Sequence, residues 1–163
     1  MKVIGVDPGT LVTGYGVVSE NKGKKICHTW GAIKTGPGEP MPKRLKTITD
    51  RLREVIEEHR PHILALEESF FAKDAKAALK LGQARGAIML VTAEAGLAFA
   101  EYSPLKIKQT LTGFGRAEKK QVQVMVRNIL SLKENPAPLD ASDALAVAIT
   151  HLNHQGSPLL ARS

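Results

Sequence analysis

The chain is 163 residues long and 43% hydrophobic, enough for one domain with a real core, and it carries a formal net charge of +7. A single cysteine, Cys27, excludes an internal disulfide, and no apolar run reaches membrane-spanning length. With no signal-peptide layout at the N-terminus a cytoplasmic protein is expected, and the basic balance fits either a polyanion-binding domain or a merely soluble one.

In chain order, Lys2 to Asp7 reads as an apolar strand ending on a carboxylate, and Pro8-Gly9-Thr10 as a turn. Val12 to Ser19 reads as a second strand, in which Gly14 and Gly16 signal a bulge or a close backbone approach. Lys24 to Lys34 follows as a third, with Ile26, His28 and Trp30 on one face; the three suit an antiparallel meander. After the loop from Thr35 to Pro40, Leu45, Ile48, Leu52, Val55 and Ile56 recur at helical spacing until Pro61. His62 to Leu66 is a short buried strand closing on Glu67-Glu68, so strand, helix and strand predict a crossover to parallel pairing. A long helix is expected from Asp74 to about Ala95, a strand from Ala98 to Tyr102, and a brief helix from Pro104 to Leu111. Beyond the loop Thr112 to Arg116, Ala117 to Leu132 is amphipathic, with Val122, Met125, Val126, Ile129 and Leu130 on its apolar stripe. Asn135-Pro136-Ala137-Pro138 breaks the chain before a last helix from Leu139 to Asn153. The order gives one mixed α/β domain, with residues 154–163 expected as a flexible tail.

Four acids stand where an apolar residue is usual. Asp7 and Glu67 end strands, while Asp140 and Asp143 lie three apart on one face at the head of the last helix. That helix is otherwise apolar nearly all round, so it belongs in the core with its two acids at the core's edge. If the strands carrying Asp7 and Glu67 are neighbours, all four carboxylates meet. Without cations they would repel and raise one another's pKa. A pair of divalent ions would relieve that and suit phosphoryl displacement. Each acid also has a plain reading: a turn residue at Asp7, a solvent-reaching strand end at Glu67, helix capping at Asp140 and Asp143. Alternation along the strand lets only one of Glu67 and Glu68 reach the cluster, and Glu67 is chosen.

Lys73, Lys76, Lys80 and Arg85 run along the long helix, and Lys106, Lys108, Arg116, Lys119 and Lys120 surround the glycine loop. Both sets suit phosphate contacts or a solvated face. Phe70 and Phe71 follow the acidic strand end; Phe70 suits a wedge between bases, and Phe71 a return to the core. Tyr15 and Trp30 read as core or strand-face residues, and His151 and His154 as surface residues. Gly82 and Gly86, four apart on the long helix, would admit a close neighbour: a second copy, or an ordinary sheet.

The most specific stretches are Gly5-Val6-Asp7-Pro8-Gly9-Thr10 with Thr13-Gly14-Tyr15-Gly16, and Ala65-Leu66-Glu67 with Phe70. They continue with Leu81-Gly82-Gln83-Ala84-Arg85-Gly86, Lys108-Gln109, Ala117-Glu118-Lys119, and Asp140-Ala141-Ser142-Asp143-Ala144-Leu145-Ala146. In this order and at these separations the chain strongly resembles the RuvC family of bacterial Holliday-junction resolvases. The resemblance implies an RNase H-like fold over residues 1–153, a central mixed five-stranded sheet flanked by helices. It implies a homodimer that nicks four-way DNA junctions symmetrically in recombination and repair. It further implies Mg²⁺, with Mn²⁺ as substitute, at two ions per site, and RuvA and RuvB branch-migration partners. Asp7, Glu67, Asp140 and Asp143 become the catalytic, metal-binding acids. Phe70, Lys76, Lys80, Arg85, Lys108, Arg116 and Lys119 become DNA contacts. Leu11 departs from the family, where a basic residue is common. Competing readings are another RNase H-like nuclease, an actin- or hexokinase-like ATPase half and a junction-binding module that does not cut.

Overall fold

The structure is a computed structural model, and it describes residues 1–68 and 73–154. Its strands are β1 (Lys2–Asp7), β2 (Val12–Asn21), β3 (Lys24–Lys34), β4 (Ile63–Glu67) and β5 (Ala98–Tyr102). The helices are α1 (Met41–His59), α2 (Ala75–Glu94), α3 (Pro104–Thr112), α4 (Lys119–Ile129) and α5 (Leu139–His154). The sheet order is β3-β2-β1-β4-β5. β1, β2 and β3 form the antiparallel meander, while β4 and β5 add in parallel beside β1, the expected RNase H-like arrangement.

Period-two alternation divides the sheet between two cores. Ile4, Val6, Leu64 and Leu66 face α1 and α2, where they meet Ile48, Leu52, Ile88 and Val91. Val3, Ile63 and Ala65 face the opposite side, with α3, α4 and α5. By the same parity Asp7 and Glu67 continue the α5 side. The parallel register aligns Val6 with Leu66, so the two carboxylates at the next position stand side by side.

The glycines of β1 and β2 bring α5 down onto the sheet. A Cβ on Gly5 would collide with the Ala144 carbonyl, and one on Gly14 with the Asp140 carbonyl. The close-approach reading of Gly14 therefore holds. The sheet's one register irregularity lies between β2 and β3, where Val17 pairs with Thr29 and Val18 with Cys27. Eleven residues of α5 are buried, from Ala141 to Leu152.

Several expectations change. β2 runs two residues past Ser19, to Asn21. α4 is shorter than the expected span from Ala117 to Leu132. Gln121 Oε1 accepts from the Glu118 amide at 3.0 Å, fixing the start, and Ser131 at φ 52° ends the turn beyond Leu130. α5 runs one residue further than expected, because His154 Nε2 pairs with Thr110 Oγ1 at 2.9 Å. His151 is buried rather than on the surface, its Nδ1 2.8 Å from the Tyr102 hydroxyl. Tyr15 is a core residue. Trp30, with Ile26 and His28, lies on the exposed face of β3.

Candidate active site

β1 and β4 are neighbours, and their C-terminal ends open into a cleft of about 290 Å³. Asp7, Glu67 and Asp143 line it together with Lys108, Lys119, Pro104, Ile107, Val122 and Ala146. The elements deliver these groups from widely spaced parts of the sequence: two strand ends, the second turn of α5, one face of α3 and the start of α4. Asp7 is additionally steadied through the turn that follows it. The buried Thr13 hydroxyl donates to the Gly9 carbonyl at 2.6 Å, locking Pro8-Gly9 against β2.

The carboxylates strain one another. Burial, then the charges of Glu67 and Asp143, push Asp7 up to about 9, and it donates a hydrogen bond to Glu67. Burial also raises Glu67, partly offset by that hydrogen bond and by Lys119 and Lys108. Asp143 is raised mainly by burial, while Lys119 at 3.4 Å works in the opposite sense. Lys119 is raised in turn by Asp143, which keeps it charged. Asp140 is half-buried and does not line the cleft, yet its charge contributes to raising both Asp7 and Asp143.

This donor set suits a hard divalent cation. Oxygen ligands converge, and their repulsion is relieved when a cation replaces the proton on Asp7. Among the described residues no three His, Cys, Asp or Glu side chains already form a metal shell. Asp143 is engaged by Lys119, and Glu67 by the Asp7 proton. A cation bound here would displace the proton on Asp7 and compete with Lys119 for Asp143.

The basic residues separate into groups. Lys108 and Lys119 line the cleft. Arg116 is exposed on the glycine loop, and Lys76 and Lys80 are exposed on α2. Arg85, expected as a phosphate contact, is engaged within the fold. Its Nη1 donates to the Glu67 carbonyl at 2.8 Å, and its Nη2 pairs with Glu101. A long side chain that finds two acceptors inside the fold is not a free surface cation. Phe70 and Phe71 lie outside the described residues. Sequence reasoning missed Glu101; its only signal was an acid on a short edge strand.

A mixed sheet of this order, with carboxylates gathered between lysines at the ends of β1 and β4 and at the head of α5, defines a nuclease of the RNase H-like type. The family model for crossover junction endodeoxyribonuclease RuvC matches residues 3–151. The crossover junction endodeoxyribonuclease RuvC of Pelotomaculum thermopropionicum is 50% identical over 154 residues, covering 94% of each chain. The solved structure of Thermus thermophilus RuvC superposes with a TM-score of 0.88 at 43% identity, covering 94% of this chain and 95% of that one. The T. thermophilus RuvC structure in complex with Holliday junction substrate gives 0.90 at 41%, covering 94% of each. The chain belongs to the RuvC family of crossover junction endodeoxyribonucleases.

Proposed function

We propose that this chain resolves four-way DNA junctions by paired, symmetric, metal-dependent nicks, with Asp7, Glu67, Asp140 and Asp143 as the acids that hold the metal. The observation that carries the reading is the convergence of Asp7, Glu67 and Asp143 in a cleft edged by Lys108 and Lys119, in a chain of this family. Two Mg²⁺ ions, or Mn²⁺ in their place, would polarise the scissile phosphate and make a bound water nucleophilic at neutral pH. The chain's own groups do the rest. Asp7 and Glu67 release the proton between them to solvent and would hold the ions at the ends of β1 and β4, where the scissile phosphate would be received. Lys108 and Lys119 offset charge growing on the phosphoryl oxygens. Arg116, Lys76 and Lys80 are suited to contacting the flanking backbone. The role of Phe70 as a wedge at the crossover stays part of the proposal.

Symmetric cutting needs two sites, and α2 suits the pairing of two copies. Leu79 and Leu90 are 70% and 58% exposed, and a Cβ on Gly82 or Gly86 would meet nothing within 4 Å. The chain's own sheet therefore does not require those glycines, whereas a close partner helix would. We assign the protein to the cytoplasm, with RuvA and RuvB as partners. No helix among the described residues is long and apolar enough to cross a membrane. The test is cleavage of a synthetic four-way junction with and without Mg²⁺, in competition with duplex and RNA–DNA hybrid. Equal cutting of all three, or metal-independent cutting, would overturn the proposal.

A further inference from the structure

Glu67 is the last residue of β4, in register with Tyr102 of β5. The next amide, that of Glu68, is held by the Tyr102 carbonyl at 2.9 Å on the β5 side. The Glu67 carbonyl accepts from Arg85 Nη1 at 2.8 Å. The other arm of the same guanidinium pairs with Glu101, the β5 residue in register with Leu66. Arg85 and Glu101 side chains are only 18% and 30% exposed. One planar group thus ties α2, the exit of β4 and the edge strand β5 into a single corner, directly behind the carboxylate that faces Asp7.

From this geometry we infer that Arg85, oriented by Glu101, is a positioning residue for Glu67: it latches the end of β4 so that the carboxylate is presented to the metal site. The inference rests on the reading of Glu67 as a metal ligand. β4 ends at Glu67, whose carboxylate lies close to Asp7 and Asp143. The Glu68 amide bond to Tyr102 holds this end from the β5 side and the Arg85 bond holds it from α2, so removing Arg85 leaves the direction of Glu67 resting on one bond. A guanidinium suits the task because its fork donates in two fixed directions at once, and a lysine ammonium keeps the charge without the fork.

The experiment compares Arg85→Gln, Arg85→Lys and Glu101→Gln with the unaltered protein. Mn²⁺ affinity of the DNA-free protein is followed by the paramagnetic resonance signal of free Mn²⁺. Junction affinity is measured in EDTA, and the Mg²⁺ midpoint in cleavage. Arg85→Gln is expected to weaken Mn²⁺ binding about 10-fold and to raise the Mg²⁺ midpoint similarly. Junction affinity in EDTA should stay within about twofold. Arg85→Lys and Glu101→Gln should fall between, and they carry the test should Arg85→Gln not fold. Unchanged Mn²⁺ affinity with weaker junction binding and a shallower salt dependence would make Arg85 a phosphate contact and overturn the latch. A loss confined to thermal stability would overturn it as well. Glu67→Gln separates the layers. If it binds Mn²⁺ as the unaltered protein does, the ligand reading fails and the latch loses its purpose. If it loses Mn²⁺ while the Arg85 variants do not, the latch alone fails.

Discussion

Asp7→Asn exposes the strain in the carboxylate cluster most directly. In the metal-free protein Asp7 sits near 9 against an ordinary value of 3.8, because burial and its acidic neighbours disfavour the anion. The unfolded chain releases that proton above the ordinary value, whereas the folded chain keeps it until the raised one. Stability is therefore lost progressively as pH rises between the two. At pH 7.5 the gap of 3.7 pH units corresponds to an upper bound of ~5 kcal/mol at 1.36 kcal/mol per unit. Asp7 opens onto a solvent-filled cleft and shares its proton with Glu67, so the expected share is about 1–3 kcal/mol. Asparagine keeps a donor for Glu67 without the proton cost. In EDTA at pH 7.5 the variant should melt roughly 3–9 °C higher than the unaltered protein, with a gain that widens from pH 6 to pH 9. Added Mg²⁺ should raise the melting temperature of the unaltered protein and do little for the variant. Cleavage should fall by about 10³-fold or more while junction binding persists. Scanning calorimetry across pH, paired with a junction-binding assay, decides the matter. A variant no more stable than the unaltered protein in EDTA at any pH would show that the acids are not strained, and the electrostatic case for metal would fall.

Lys119→Ala should cut about 10²-fold more slowly with near-normal junction affinity, since its charge faces Asp143 inside the cleft; single-turnover cleavage checks this, and an unchanged rate removes Lys119 from the site. Junction affinity should fall steeply with salt, with a log–log slope of about −5 or steeper, given contacts from Lys76, Lys80, Lys108, Arg116 and their copies; a flat response in fluorescence anisotropy would refute phosphate neutralisation. Gly86→Glu places a charge on the open face of α2 and should yield a species sedimenting at 17.6 kDa, where the unaltered protein sediments at twice that; a monomeric unaltered protein at cleaving concentrations would end the dimer proposal.

What the sequence disclosed and what it concealed follow one physical line: short-range periodicity is legible, and the meeting of long side chains is not. Val3-Ile4-Gly5-Val6 and Ile63-Leu64-Ala65-Leu66 read as apolar runs that end in an acid, and because both faces of these strands are buried no alternation in the sequence tells which face Asp7 and Glu67 take. The all-round apolar α5 places Asp140 and Asp143, near its start, at a core edge. The adjacency of β1 and β4 and the register between them had to be supposed. Gly14 announced a close approach without naming its partner, the Asp140 carbonyl, because a glycine records the absence of a side chain and not what fills the space. The start of α4 was written in the pair Glu118 and Gln121, two residues inside the expected start at Ala117. The partners of His151 and Arg85 were hidden for a different reason. Each is polar, so the pattern sends it to the surface, yet each is paired inside the fold: His151 with buried Tyr102, 49 residues away, and Arg85 with half-buried Glu101, 16 residues away. A buried polar group is stable only with its partner in place. Neither half of such a pair predicts the other, and that is why the latch behind Glu67 emerges only once α2 and β5 are set side by side.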